Sequence, residues 1–368
     1  MFRYLAVVAL AVAAASAYEV ERCEGRDVKW TGGNSIAWPS QMAKSIYKNT
    51  GNYVGKNILA TRTAIYRDEA IVTLPRFKHG VPITLGKVNL KSKVGDIKLS
   101  PFPCWSVQED GNCKALQSAV DLFLDSNDIL WVLDTGIVDS AEQPIRRCPP
   151  KVVAFNVRTE KLVKSIDLSP LITPTSRLQY VVADYSHDGH AFIYVSDAAN
   201  RAILVYDVTS GHGYRVVLPR AALTGCARKD VLYIALIHRP DGSSCLIFTY
   251  LSGKNLFSIR TEYLQSGHTL GRVEDLGRKP QNLVLLGTDN GSALFFRNEG
   301  EGDIYRIDMT NCLAASNAIL VYQGKECDLP THVAADYKRG RMRVLESNFP
   351  DFFQGTVGCG ASQALNLI

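Results

Sequence analysis

The stretch Ile129-Leu130-Trp131-Val132-Leu133-Asp134-Thr135-Gly136 reads as a buried β-strand that delivers an acidic residue to a glycine turn. Aromatic and β-branched side chains fill it, and Asp-Thr-Gly ends it. Related strands recur at Phe192-Ile193-Tyr194-Val195-Ser196-Asp197 and, more loosely, at Met342-Arg343-Val344-Leu345-Glu346-Ser347-Asn348. Each is an apolar run closed by a polar residue, so the chain repeats one structural unit.

A second strand type fixes the period. Val153 to Val157, Leu204 to Val208, Leu256 to Ile259 and Ile304 to Asp308 centre on Phe155, Tyr206, Phe257 and Tyr305, which lie 51, 51 and 48 residues apart. That spacing is on the scale of β-propeller blades. A Thr-containing turn follows each strand, and another strand begins after it. Extended backward, the period puts Gly86 to Leu90 in the equivalent strand of an earlier unit; extended forward, it leaves a short last unit from Thr331 to Phe353. A strand within Val28 to Trp38 would have to complete that unit and remove the open edges of the ring. The expected fold is therefore all-β, a six-bladed β-propeller closed by pairing of an N-terminal strand with the last blade. The blades fall at about 57–104, 115–170, 178–220, 229–275, 280–325 and 330–353. Only Trp38 to Tyr47 and Cys113 to Leu122 carry short helix-like patterns. No linker or low-complexity stretch divides residues 18–368, so one domain is expected.

Residues 1–17 read as a secretory signal peptide: Arg3, an apolar run from Leu5 to Ala15, then Ala15-Ser16-Ala17. A secreted, extracellular protein with no membrane span follows. Forty-one Lys and Arg against 36 Asp and Glu leave a net charge of +5, too mild to argue for a nucleic-acid partner. The basic run Lys338 to Arg343 has a glycine at its centre and reads as a solvated hairpin. The sequence has nine cysteines and no Cys-x-x-Cys, which points to disulfides rather than zinc. Cys104, Cys113, Cys148, Cys226, Cys245, Cys312 and Cys327 are the disulfide candidates. The odd count leaves a thiol that is either buried or free to link to an extracellular matrix protein. Asn290-Gly291-Ser292 marks Asn290 as a glycan acceptor on a surface turn.

With the repeat established, several motifs carry a family resemblance. Trp131-Val132-Leu133-Asp134-Thr135-Gly136, Cys148-Pro149-Pro150-Lys151 with the strand to Val157, Pro101-Phe102-Pro103-Cys104-Trp105 and Tyr194-Val195-Ser196-Asp197 resemble the insect yellow and major royal jelly protein family. The similarity runs from about Trp30 to Phe353. It implies a secreted six-bladed propeller serving in pigmentation or hardening of cuticle or eggshell, in dopachrome conversion, as a nutritive secretion, or as a salivary binder of biogenic amines. Family members commonly place a cysteine before the Trp-Val-Leu-Asp strand and a Gly-Cys-Trp in the fifth blade, and both are absent here. The divergence looks closest to the eggshell-associated yellow-g group.

The strand ends that reach a propeller's central channel are the default site. On this reading Ile129 to Gly136 is the innermost strand of the second blade, and Asp134, Asp197 and Asn348 end near the channel mouth. Their oxygens would suit a protonated amine or calcium, or each would cap a turn. In amine-binding relatives a Thr and an Asn-x-Phe element of the last blade hold the ligand, which the resemblance carries to Thr331, Asn348 and Phe349. The Arg usual after that Asn is missing. No Gly-x-Ser-x-Gly, phosphate loop or His-Glu-x-x-His occurs, so hydrolase, nucleotide and zincin chemistry lack their parts. No catalytic residue, metal or cofactor is assigned. The expected function is an extracellular matrix role without catalysis; the alternatives are a dopachrome-type isomerase using Asp134, Asp197 or His332, and a binder of a small aromatic amine or catechol.

Overall fold

The computed structural model describes residues 27–93, 95–226, 229–279, 282–310, 317–325, 328–358 and 362–368. The expected signal peptide (residues 1–17) and Cys23, Cys312, Cys327 and Cys359 lie outside them. The middle strands of the sequence repeat are apolar throughout because both of their faces are covered. Leu130 and Val132 pack toward the preceding blade and Trp131 and Leu133 toward the following one. Alternating side chains thus feed two separate cores, which a sheet stacked on both sides demands.

Six antiparallel sheets of four strands carry this pattern around a ring, forming a six-bladed β-propeller. Blade I holds Arg62–Tyr66, Glu69–Thr73, Leu85–Asn89 and Ser100–Pro101. Blade II holds Ala119–Leu124, Ile129–Asp134, Lys151–Asn156 and Lys161–Asp167. Blade III holds Leu178–Tyr185, Ala191–Asp197, Ala202–Asp207 and His212–Val217. Blade IV holds Leu232–His238, Ser244–Tyr250, Asn255–Arg260 and Glu274–Arg278. Blade V holds Leu283–Thr288, Ala293–Asn298, Ile304–Asp308 and Ile319–Tyr322. Blade VI holds Leu329–Asp336, Arg341–Ser347 and Ser362–Leu367, completed on the outside by Val28–Thr31. The periodic aromatics Phe155, Tyr206, Phe257 and Tyr305 all sit on third strands, which is why they recur at one spacing.

The N-terminal strand closes the ring as expected, Val28 pairing with Leu365 and Trp30 with Gln363. Its partner was not expected, because the sixth blade extends past Phe353 to a third strand. Ser362–Leu367 carries polar residues at Ser362, Gln363 and Asn366 and has no period-matched aromatic, so nothing in the repeat marks it. Gln363 fastens the seam from inside: its Oε1 accepts the Ala60 N–H at 3.1 Å and its Nε2 donates to the Ile58 carbonyl at 3.1 Å.

Two further expectations are corrected. Cys113 to Leu122 forms no helix; from Ala119 it is the first strand of blade II. Ile129–Asp134 is consequently the second strand of that blade, not the innermost. The innermost strands are the first of each blade, which face one another across the channel. Bordering a polar channel on one edge, they carry charges within apolar runs, such as Arg62 and Asp121, and so look less like core strands than their neighbours do. Among the described residues no helix is long and apolar enough to cross a membrane.

Candidate functional site

Asp134 ends its strand fully buried, with its carboxylate spent on the backbone. Oδ2 accepts the Gln117 N–H at 2.8 Å, and Oδ1 accepts those of Ser118 at 2.8 Å and Gly136 at 2.9 Å. Gly136 has φ +66°, and a Cβ there would lie 2.0 Å from the Cys148 carbonyl oxygen. Lys151, directly opposite Asp134 in the sheet, donates to the carbonyls of Cys113 at 2.7 Å and Ala115 at 2.6 Å and lies 3.7 Å from the Asp134 carboxylate. Burial pulls the Lys151 ammonium below its ordinary range, against Asp134. Cys113 and Cys148 are joined by a disulfide. The Asp-Thr-Gly and Cys-Pro-Pro-Lys motifs are therefore two halves of one clasp that fixes the loops above blade II.

Asp197 plays the same part in blade III, fully buried and accepting from Ser176 Oγ, the Arg177 N–H and Asn200 Nδ2. Asn348 accepts the Ser362 N–H at 2.9 Å through Oδ1, while its carbonyl accepts the Phe352 N–H in the short helix Phe349–Gln354. None of the three lines the channel, since each second strand stops under the loops rather than beside the axis.

The cavity lies where the first strands begin. A vestibule of about 480 Å³ opens over the channel, walled by Phe77, Ile137, Ile172, Val284 and Phe349. Thr331 and Phe349 both line it, so two of the five expected binding residues are brought together. Phe349 is held by Phe353, ring centroids 4.7 Å apart, and Phe353 by Phe77 at 5.5 Å. Lys78 anchors the helix Phe349–Gln354, donating to the Phe352 carbonyl at 2.6 Å.

Arg62, Tyr180 and Tyr233 form the vestibule floor and also the roof of a narrower chamber of about 100 Å³ below it. The Arg62 guanidinium lies 4.8 Å from the Tyr180 ring centroid, donates to the Thr331 carbonyl at 2.7 Å and pairs with Asp121 at 3.4 Å. The Tyr180 and Tyr233 rings are 5.3 Å apart. Burial raises both phenols above their ordinary range. Burial also raises the Asp121 carboxyl to about 6, against Arg62 and the Val181 N–H that it accepts at 2.7 Å. His332 faces the lower chamber, where its Nδ1 accepts the Thr63 N–H at 3.2 Å. Burial, with Arg62 adding to it, holds His332 well below its usual value, so it is neutral at pH 7.

Arg62, Asp121, Tyr180, Tyr233 and Arg297 escaped the sequence reading. Their signal was a charge or phenol set in the apolar first strand of blades I to IV, or, for Arg297, late in a second strand. At the opposite end of the channel Asn290 occupies a turn with φ +59°, and its Nδ2 donates to the Tyr337 hydroxyl at 2.5 Å. Cys104, Cys226 and Cys245 are free thiols, which corrects the expectation that they pair; Cys104 is exposed and Cys245 buried on a middle strand. Among the described residues no cluster of three His, Cys, Asp or Glu side chains suits a metal.

Residues 117–363, more than half of the chain, match the family model of the major royal jelly proteins. The chain is 29% identical over 171 residues to dopaminechrome tautomerase of Drosophila melanogaster, covering 45% of this chain and 37% of that protein. It is 24% identical over 286 residues to Protein yellow of Drosophila melanogaster, covering 71% of this chain and 53% of that one. The chain thus spans about half the length, or less, of these curated relatives. Among solved structures, regucalcin from Agrobacterium tumefaciens superposes with a TM-score of 0.47 at 14% identity, over 84% of this chain and 90% of that one. With the repeat, the clasp and the family model in agreement, the chain belongs to the major royal jelly protein family, in which its named relatives include the yellow proteins.

Proposed function

We propose that this protein is a secreted yellow-type propeller that holds a small aromatic ligand in its vestibule while serving the pigmentation or hardening of an extracellular matrix, cuticle or eggshell. The observation that carries the ligand role is the vestibule itself. It is an apolar cup of about 480 Å³ with phenyl walls and a floor of polar groups, the usual form of a small-molecule site. Its lining supports binding in preference to catalysis. Isomerising a catechol product needs a group that gains and loses a proton near neutrality, and the vestibule is lined by no Asp, Glu, His, Lys or Cys among the described residues. Secretion is supported by the N-terminal apolar run and by the disulfide. The matrix role rests on family membership, and the yellow-g branch on the additional cysteines. Cys104 is the described thiol exposed for linkage to a matrix protein, and Asn290 is the glycan acceptor.

The test is calorimetric titration of the purified protein with catechol and indole compounds. One-to-one binding that weakens in Phe349→Ala, with the fold intact by circular dichroism, supports the reading; no heat at millimolar ligand removes it. Isomerisation is the second reading, favoured by Asp121, whose carboxyl is raised to about 6 beneath the floor, and by the tautomerase relative. Acceleration of dopachrome loss above the spontaneous rate, abolished in Asp121→Asn, would establish it in place of simple binding.

A further inference from the structure

Four arginines are among the residues lining the vestibule, Arg62, Arg146, Arg177 and Arg297, and none of the described lining residues carries a carboxylate. We infer that the vestibule selects an anionic aromatic ligand, a small aromatic carboxylate, over a protonated amine. This deepens the ligand-binding reading above and rests on it.

Arg297 is the decisive group. It is only 7% exposed, and the hydrogen bonds it makes go to main-chain oxygens, from Nε to Pro330 at 2.9 Å and from Nη1 to Asn298 at 3.0 Å. No carboxylate lies within ion-pairing distance among the described residues. A buried cation with no carboxylate in contact is costly, and burial lowers the pKa of this guanidinium although Tyr233 and Glu299 act from farther off to raise it. A ligand carboxylate entering the cup completes its surroundings, and the planar fork of arginine suits a carboxylate's two oxygens.

Arg62, which has Asp121, is pinned over Tyr180 and adds positive charge at the floor. Arg177 and Arg146 stand exposed at the rim, tethered by carbonyls: Arg177 Nη2 to Asp230 at 2.6 Å and Arg146 Nη1 to Thr135 at 3.4 Å. They favour anion entry by raising the local potential. The walls of Phe77, Ile172 and Phe349 accept the ring. A protonated amine meets four arginines and no carboxylate among the described lining residues, while the nearby acids Asp134 and Asp197 are sealed beneath the loops by their own hydrogen bonds. The amine expectation for Thr331, Asn348 and Phe349 thus fits the walls but not the charge.

Calorimetry with 3,4-dihydroxyphenylacetate and dopamine, which share a catechol ring and differ in the charge of the tail, separates the cases. The carboxylate is expected to bind at least tenfold tighter, and that preference is expected to fall about tenfold in Arg297→Met. Should that variant fail to fold, the salt dependence of the wild-type protein decides: carboxylate affinity falls as ionic strength rises. Equal or tighter dopamine binding, or carboxylate affinity indifferent to salt, overturns the inference and leaves the vestibule as a ligand site. Binding of neither compound at millimolar concentration removes both readings.

Discussion

Replacing Asp134 separates a structural acid from a ligand-binding one. In Asp134→Ala three buried backbone donors, those of Gln117, Ser118 and Gly136, lose their acceptor at once, and the Lys151 ammonium loses its nearest negative charge. An unsatisfied buried donor costs roughly 1–3 kcal/mol, so losing the acceptor of three is expected to cost on the order of 3–9 kcal/mol. That is a large share of the roughly 5–15 kcal/mol that holds a typical domain folded. Asp134→Asn keeps one acceptor oxygen and loses the charge, with an expected cost of about 2–3 kcal/mol. The assay is urea unfolding followed by tryptophan fluorescence, since Trp131 sits in the same strand. Ligand affinity of Asp134→Asn, measured where it is fully folded, should equal that of the wild type. Unchanged stability together with lost binding would refute the clasp and return Asp134 to the binding site.

Gly136→Ala is expected to cost at least about 2 kcal/mol, because it places a methyl group on the Cys148 carbonyl oxygen and forces a left-handed backbone; denaturant midpoints report it. Removing the disulfide in Cys113→Ser/Cys148→Ser frees a loop of sequence separation 35 and should lower stability by roughly 2–4 kcal/mol, measured in the same way. Gln363→Ala leaves the Ala60 N–H and the Ile58 carbonyl without their side-chain partner and should cost about 2 kcal/mol, read from the thermal unfolding midpoint. The pH dependence has two opposing parts. Asp121, raised to about 6, binds its proton more tightly when folded, so its share of stability grows as pH falls from about 6 toward 4. His332, lowered well below 6.5, contributes stability that is present above about 6.5 and lost as pH falls below it. Asp121→Asn removes the first part, so between pH 6 and 5 the variant's stability should fall more steeply than the wild type's, by up to about 1.4 kcal/mol per unit.

The ring was legible because its middle strands face two cores and therefore repeat as apolar runs that third-strand aromatics punctuate at a fixed spacing. The same contrast misled the placement of the channel. Ile129–Asp134 is the most apolar strand of its blade because it lies between strands, whereas Ala119–Leu124 carries Asp121 because it borders the axis. In blade II the strand with an internal charge marks the channel edge, and the uninterrupted one marks the interior. Thr331 and Phe349 were found through the family resemblance, although Asn348 between strand and helix turned out to tie Ser362. Arg297 was beyond reach, since Phe295-Phe296-Arg297 alone does not reveal that the folded side chain is buried with carbonyls rather than a carboxylate in contact. Ser362–Leu367 was missed because nothing in its own residues reports the N-terminal strand that pairs with it.

The most direct test of the vestibule as the working site is a crystal structure of the protein grown with saturating 3,4-dihydroxyphenylacetate. Density for the catechol between Phe349, Ile172 and the Tyr180 floor, with its carboxylate on Arg297, is the predicted result. A filled site elsewhere on the propeller, with the vestibule holding only solvent, would contradict it.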